Sequence, residues 1–397
     1  MSVLLPALRS LFTDSDVSTL IGLRRDLHQH PELSWKEERT AARLADVVAA
    51  LGAVEVTRVA RTGIVARFAG RVRSAPVVAL RGDIDALPIQ EATGLPFASE
   101  SPGVMHACGH DIHGTWAVGA AMLLARQPAA GDVLVVLQPA EEVGEGAKAI
   151  LETGALDQVK AIFGGHVDRR FPVGQVVADA GPLAASADTF EIELIGKGAH
   201  GARPHESADP IVGAAALVSA LQTIVARRID PAAAAVVTVG SIHAGTAPNV
   251  IPERAVLTGT LRATTPEVRA AIGAEVRRIA ESVAESYRLT ARATVNLGTP
   301  PIVNPVAGAA WARQAAASVL GEAAVVPFGL TNMGGEDFAF YLERIPGCFM
   351  RIGAREEGGE RTAAHSPRFT AAEESIFVGA AVLAEAARVA SAALEAT

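Results

Sequence analysis

Eight consecutive residues, His106-Ala107-Cys108-Gly109-His110-Asp111-Ile112-His113, hold three imidazoles, a thiol and a carboxylate. In an extended segment alternate side chains share a face, so His106, Cys108 and His110 would project together. Imidazole, thiolate and carboxylate are the ligands that borderline-soft divalent metals such as zinc accept. The competing reading is a polar loop around an inert buried thiol, because a His-rich tract is by itself only suggestive.

Further reactive groups fall where strands should end. Asp83 and Asp85 follow the apolar run Val77 to Leu80, Gln138-Pro139-Ala140-Glu141-Glu142 follows Val133 to Leu137, and His166 follows Ala161 to Phe163. Open α/β sheets bind ligands outside the carboxyl edge of their strands. Taken singly, each group reads as a surface carboxylate or a satisfied histidine; three strands delivering them to one rim is what a solvated loop does not predict. The adjacent Glu141 and Glu142 point in different directions, so one can ligate while the other acts as general base on an attacking water. Spacing leaves open which does which. His365, in Ala364-His365-Ser366-Pro367, has the plain reading of a helix-start histidine with Ser366 and Thr370 as caps. Glu336 and Asp337 read as acids favouring a helix N-terminus. Gly196-Lys197-Gly198 lacks the hydroxyl residue and upstream glycine of a phosphate loop, and Gly144-Glu145-Gly146 lacks the third glycine of a dinucleotide fingerprint.

The elements that must position these groups can be read from periodicity. Asp14 to Gly52 is helical-hairpin material, with Leu20, Leu23 and Leu27 at helical spacing and a break at His30-Pro31. Strand runs follow at Val54 to Val59 and Ile64 to Phe68, joined by an Arg61-Thr62-Gly63 turn, and at Val77 to Leu80. Helices at Ile112 to Arg126 and Gly146 to Leu151 alternate with the strands Val133 to Leu137 and Ala161 to Phe163. This alternation predicts a largely parallel sheet with helices on its faces. From about Ala184 to Gly298 the order becomes strand, helix, strand, strand, helix, strand, which is the split βαβ order of a ferredoxin-like unit. Helix Val306 to Leu320, strand Cys348 to Ile352 and a terminal helix Ala371 to Leu394 resume the first style. The expected fold is therefore α/β, a phosphorylase/hydrolase-like catalytic domain (1–183 and 299–397) with an inserted ferredoxin-like α+β lid or dimerisation domain (184–298).

Composition narrows the function. With 397 residues, two domains are the natural expectation. A net charge of −8, no basic runs and 4% aromatic residues argue against a nucleic-acid partner. Two cysteines, Cys108 and Cys348, make no disulfide framework in so long a chain, and Cys348 reads as a core thiol. Met1 to Pro6 is too short for the apolar part of a signal peptide. The stretch Pro231 to Pro252, free of Asp, Glu, Lys and Arg, is long enough to span a bilayer but polar and turn-like in its second half. The expectation is a soluble, cytoplasmic protein with no membrane partner.

Six segments, in order, carry a resemblance. They are Leu27-His28-Gln29-His30-Pro31-Glu32-Leu33-Ser34, Arg81-Gly82-Asp83-Ile84-Asp85-Ala86-Leu87-Pro88, Met105-His106-Ala107-Cys108-Gly109-His110-Asp111, Gln138-Pro139-Ala140-Glu141-Glu142, Gly245-Thr246-Ala247-Pro248-Asn249-Val250-Ile251-Pro252 and Gly334-Gly335-Glu336-Asp337-Phe338. Together they resemble the metal-dependent amidohydrolases that include hippurate hydrolases, N-acyl-amino-acid deacylases and auxin-conjugate hydrolases, within the wider aminoacylase and carboxypeptidase metallopeptidase family. The resemblance runs from about residue 24 to 369.

The resemblance implies two divalent metal ions per subunit (Zn, Mn, Co or Ni), with Cys108 bridging and His110, Glu142, His166 and His365 as the other ligands. It implies Glu141 as general base and Asp85 as a supporting group close to the metals. His200 matches a histidine that reaches a neighbouring subunit's active site to stabilise the oxyanion, which implies a homodimer through the inserted domain, or a dimer of dimers. Asn249 and Arg262 match positions that bind the substrate's free carboxylate, for which a guanidinium fork is well suited. Two positions depart from the pattern. Ile112 stands where relatives carry glycine and is expected to narrow or reshape the site. Asp83 stands where carboxypeptidase-like relatives carry a ligand histidine, placing this chain in the cysteine-containing branch. The expected reaction is hydrolysis of an N-acyl-amino acid to a carboxylic acid and a free amino acid. A dipeptidase or aminobenzoyl-conjugate hydrolase is the alternative on the same fold; a Cys108-nucleophile amidase and a non-catalytic binding protein are the others.

Overall fold

The N-terminal helical pattern becomes α1 (Asp14–Gln29) and α2 (Glu38–Ala50) in a computed structural model that describes residues 4–329 and 332–396. Met1 to Val3, part of the signal-peptide reading, lie outside the described residues. A reciprocal cap starts α1: Thr13 Oγ1 accepts from Asp16 N (3.2 Å) and Asp16 accepts from Thr13 N (2.8 Å). Leu20, Leu23 and Leu27 then form its buried stripe.

The chain divides into two units. One runs through Gly181 and resumes at Asn304–Gly329 and from Asp337 onward; the other comprises Pro182–Val303 and a short segment ending at Glu336. In the first, β1 (Glu55–Val59) and β2 (Gly63–Phe68) form an antiparallel hairpin. Strand β3 (Val77–Asp83) leads to α3 (His110–Arg126), β4 (Val133–Gln138), α4 (Gly146–Glu152), β5 (Val159–Pro172) and β6 (Val176–Val177). After the second unit come α5 (Val306–Leu320), β7 (Gly347–Arg355) and α6 (Glu374–Glu395). The sheet order is β1-β2-β4-β3-β5-β7-β6. Strands β4, β3, β5 and β7 are parallel to one another, while β1, β2 and β6 add antiparallel edges. Parallel strands are covered on both faces, which explains why all six residues of β4 are buried. Helix α3 is buried from His110 to Leu124. Helix α6 is long and apolar enough to cross a membrane, but 72% of its apolar window is buried inside the fold, as in a core helix.

The second unit is a four-stranded antiparallel sheet in the order 235–244, 254–263, 187–195, 290–299, with helices Pro210–Leu221 and Pro266–Ser286. Numbered along the chain this order is 2-3-1-4, the ferredoxin-like arrangement. The charge-free stretch from Pro231 supplies the edge strand Ala235–Ala244, not a membrane span.

Several boundaries differ from the sequence reading. Strand β5 runs eleven residues beyond the expected start of its apolar core, to Pro172, so His166 lies inside a strand and not after its end. The continuation follows from pairing with β7, where Arg351 registers with His166. It also follows from Gly164, where any Cβ would lie 2.6 Å from the Phe338 ring. Helix α3 begins at His110, so the segment from His106 is not extended throughout. Helix α6 begins at Glu374, well after His365, and Ser366 Oγ accepts from Arg368 N (3.2 Å) in a local turn; the helix-start reading of His365 therefore fails. Ile112 is fully buried in the main apolar core, which takes up its bulk by packing. Asp337 is likewise no solvated helix-start acid: it is fully buried and accepts from Arg81, Gln138 and Ala147 N.

Candidate metal centre

Cys108 and His110 flank Gly109, the residue preceding α3, whose φ of 89° and lack of a side chain let the chain turn sharply between them. A Cβ at Gly109 would lie 2.5 Å from Val167 Cγ2. Cys108 Sγ stands 3.2 Å from His166 Nε2 on β5. From the other side, His365 N donates to Ala107 O (2.8 Å) and so ties its loop to the cysteine segment; His365 itself has φ 64°. The loop after β4 contributes Glu141 and Glu142.

These placements produce two sets of donors whose atoms lie within 4.8 Å of one another, and both contain the same thiol: Cys108/His110/His166 and Cys108/Glu142/His365. All five residues expected as ligands are thus brought together, around one shared sulfur. Glu141 joins a neighbouring set with His110 and Glu142 but neither of the sets built on Cys108. Its Oε2 lies 3.9 Å from His110 Nε2, and Glu142 Oε1 lies 3.8 Å from the same nitrogen.

Hydrogen bonds fix which ring nitrogens face inward. His166 Nδ1 lies 2.7 Å from Val167 O, so it carries the proton and Nε2 presents its lone pair toward Cys108. His110 Nδ1 is held by Asp85 Oδ1 (3.2 Å), and its Nε2 is buried without a hydrogen-bond partner among the described residues. Glu142 Oε1 is also buried and unpartnered. A carboxylate behind a histidine, with the other nitrogen turned into the site, is the usual support of a metal ligand. Buried acceptors without a hydrogen bond beside a thiol fit a dication.

The electrostatics agree. Burial disfavours charge on His110, but Asp83 and the bond to Asp85 outweigh it and hold its pKa well above the ordinary value. Burial, with His113 and Arg351 nearby, keeps His166 well below it. Burial raises Glu142 to about 7 against the pull of His110, with Asp85 and Asp83 adding to the rise. Burial pushes the Cys108 thiol up, and Glu142 and Glu141 push it further. Cys108, His110 and Glu142 are thus shifted toward their protonated forms, and a dication binding them would displace those protons.

Asp85 is 1% exposed and does more than orient His110. It also accepts from Glu141 N (3.1 Å), Glu142 N (3.0 Å) and Ser34 Oγ (2.7 Å). Asp83 belongs to neither donor set on Cys108, although its Oδ2 lies 3.7 Å from His110 Nε2. It pairs with Arg81 and with His113 Nδ1 (2.6 Å), while His113 Nε2 accepts from Val167 N (3.0 Å). His113, which the sequence reading left without a role, therefore braces β5 beside His166. His106, expected to project with Cys108 and His110, is buried with both ring nitrogens unpartnered and burial lowering its pKa to about 4; it belongs to neither donor set on Cys108. On the second unit, His200 and Asn249 are exposed and adjacent: His200 registers with Val250, and Gly201 N donates to Asn249 O (2.7 Å). Arg262 is half-buried on strand 254–263.

Residues 79–389 match the family described as Peptidase family M20/M25/M40. An N-acetylcysteine deacetylase of Bacillus subtilis (strain 168) is 43% identical over 372 residues, covering 93% of this chain and 96% of the relative. An N-acetyl-L-cysteine deacetylase of the same organism is 42% identical over 371 residues, covering 93% and 87%. A Bacillus subtilis crystal structure, described as a dinuclear metal binding peptidase from the M20 family, superposes with a TM-score of 0.85 at 39% identity, covering 95% of this chain and 99% of that one.

Proposed function

The chain belongs to Peptidase family M20/M25/M40, and from that premise we propose that it cleaves the amide bond of N-acyl-amino acids carrying an acetyl, benzoyl or similar acyl group. It is a metal-dependent amidohydrolase acting on N-acyl amino acids. The observation that carries the reading is the pair of donor sets sharing Cys108, with Glu141 beside them and outside both.

Cys108, His110 and His166 would hold one divalent ion and Cys108, Glu142 and His365 the other, a mixed thiolate, imidazole and carboxylate set suited to Zn, Mn, Co or Ni. When bound, such ions supply Lewis acidity that polarises a carbonyl and makes water a better nucleophile. Glu141 takes the proton of the attacking water as its oxygen bonds to the acyl carbon. The C–N bond then breaks, and Glu141 returns that proton to the leaving nitrogen, giving a carboxylic acid, which ionises in solution, and a free amino acid. Asp85 holds the Glu141 and Glu142 amides and the His110 ring, so base and ligands share one frame. His200 is assigned to the oxyanion, acting from a second copy of the chain in a homodimer, and Asn249 and Arg262 to the substrate carboxylate.

A Cys108 nucleophile fits less well. Attacking thiols need a lowered pKa, whereas burial and two carboxylates push this one up. Amino-acid release from acetyl- and benzoyl-amino acids, measured before and after chelation and after adding back metal, separates the readings. Loss with chelator and recovery with metal is expected. Turnover that ignores chelator and stops on alkylation would overturn the metal reading in favour of the thiol. Dipeptides and aminobenzoyl conjugates in the same panel test the substrate class.

A further inference from the structure

Among the described non-glycine residues, six have positive φ: Trp35 (66°), Ala60 (43°), Arg61 (65°), Ala140 (54°), Arg288 (60°) and His365 (64°). Side chains make this backbone costly, and it persists where surrounding contacts over-determine it. The first four meet at one place. Trp35 lies in the loop between α1 and α2, Ala60 and Arg61 form the turn of the β1–β2 hairpin, and Ala140 immediately precedes Glu141.

Glu37 joins the three segments. It is fully buried at the start of α2. One oxygen, Oε1, accepts from Ala140 N (2.9 Å) and from Trp35 N (3.0 Å). The other, Oε2, accepts from the buried Thr62 hydroxyl (2.6 Å). Around this carboxylate, Arg61 stacks over the Trp35 ring (4.9 Å) and Trp35 Nε1 donates to Glu145 (2.9 Å), at the far end of the Glu141 loop. Three consecutive amides, of Ala140, Glu141 and Glu142, are thus held by two buried carboxylates. Asp85 takes two of them from the ligand side, and Glu37 takes the first from outside. Among the described residues, Glu37 appears in none of the donor sets able to hold a metal.

We propose that Glu37 is a positioning residue for catalysis: by holding Ala140 in its left-handed conformation it sets the direction in which Glu141 leaves the strand. The proposal rests on the reading of Glu141 as the base. An unbridged Ala140 relaxes toward negative φ and re-aims the next side chain, and a displacement of about 1 Å in a reacting group can cost about 10²-fold in rate.

The test compares Glu37→Ala and Glu37→Gln with the wild-type protein and with Val48→Ala, a buried α2 substitution that lowers stability without touching the clasp. Hydrogen exchange at the Ala140 and Glu141 amides is followed alongside kcat, KM, metal content and Tm. Glu37→Ala is expected to lower kcat about 10- to 100-fold, leave KM within about twofold, retain its metal and exchange both amides faster. Glu37→Gln, whose amide oxygen still accepts from Ala140 N while its NH2 donates to Thr62, is expected to restore most of kcat. Val48→Ala should lose Tm alone. Unchanged kcat in Glu37→Ala, or amides as protected as in the wild type, would overturn the proposal. If Glu37→Ala does not fold, Glu37→Asp is too short to span Ala140 and Thr62 and should show the same loss; an unchanged kcat there overturns the proposal equally. Failure of the underlying reading looks different, because Glu141→Gln would then retain turnover while the amide exchange still reported on the clasp.

Discussion

The two units bury charge to different extents: the second encloses Asp188 paired with Arg269, the first a whole network. The second is filled by Phe190, Ile192, Leu194, Leu217, Leu257 and Ile272, and its expected substrate groups His200 and Asn249 stay on the surface. The first encloses charges beside its apolar core. Arg81 is fully buried, with Nε donating to Gln138 (2.8 Å) and Nη2 to Asp337 (3.0 Å), and Tyr341 donates to the same Gln138 oxygen (3.0 Å). Asp83 and His113 extend that network, while Asp85 and Glu37 hold the His110 ring and the loop amides beside the donor atoms. Buried polar groups are costly unless every member is satisfied, and a satisfied network holds reactive side chains in one geometry. Recognition groups on the second unit need no such frame, since a charged fork meeting a carboxylate works from the surface.

That contrast can be broken at graded cost. The largest effect belongs to Glu141→Gln, which should lower turnover about 10²–10⁴-fold while metal analysis still finds two ions per chain; retained turnover would remove the base assignment. Next is Asp85→Asn, which weakens the support of His110 and both loop amides. Competition with a chelator should show metal affinity reduced about 10- to 100-fold. On the second unit Arg262→Ala should leave metal content alone and raise KM about tenfold or more, the size of one lost charge-assisted hydrogen bond. If it strips metal instead, the separation of roles between the units is wrong.

The smallest effect lies far from the chemistry. Asp16 has its pKa lowered from 3.8 chiefly by its bond to Arg126, against burial and with help from the Thr13 cap. A carboxyl depressed on folding stabilises above its unfolded pKa and loses that contribution as pH falls through the folded value. Asp16→Asn should therefore cost about 1 kcal/mol at pH 7, and denaturant unfolding should show the two proteins converging as pH falls below 3.8 and through the lower folded value. Activity per folded molecule should not move.

The fold class was legible because periodicity and strand-end chemistry repeat through the chain. The alternation of Val77 to Leu80 and Val133 to Leu137 with helices marks parallel strands, and the ferredoxin-like order follows from six segments in sequence. Glu37 was not legible, because one of two adjacent acids in Trp35-Lys36-Glu37-Glu38 looks like any solvated helix start. Its partner Ala140 lies over a hundred residues away, and only its φ of 54° shows what is held. Asp337 and His113 escaped for the same reason: their roles come from contacts with Arg81 and Val167, not from their neighbours in the chain.

The sequence by itself determined the donor types and their order, since thiol, imidazole and carboxylate chemistry resides in single side chains. Which donors share a sulfur was decided only by the tertiary structure. Glu141 and Glu142 are the same residue at adjacent positions, and nothing local separates them. The distinction arises because β3, β4, α3 and the His365 loop converge from distant parts of the chain, placing Glu142 with Cys108 and His365 and leaving Glu141 beside them.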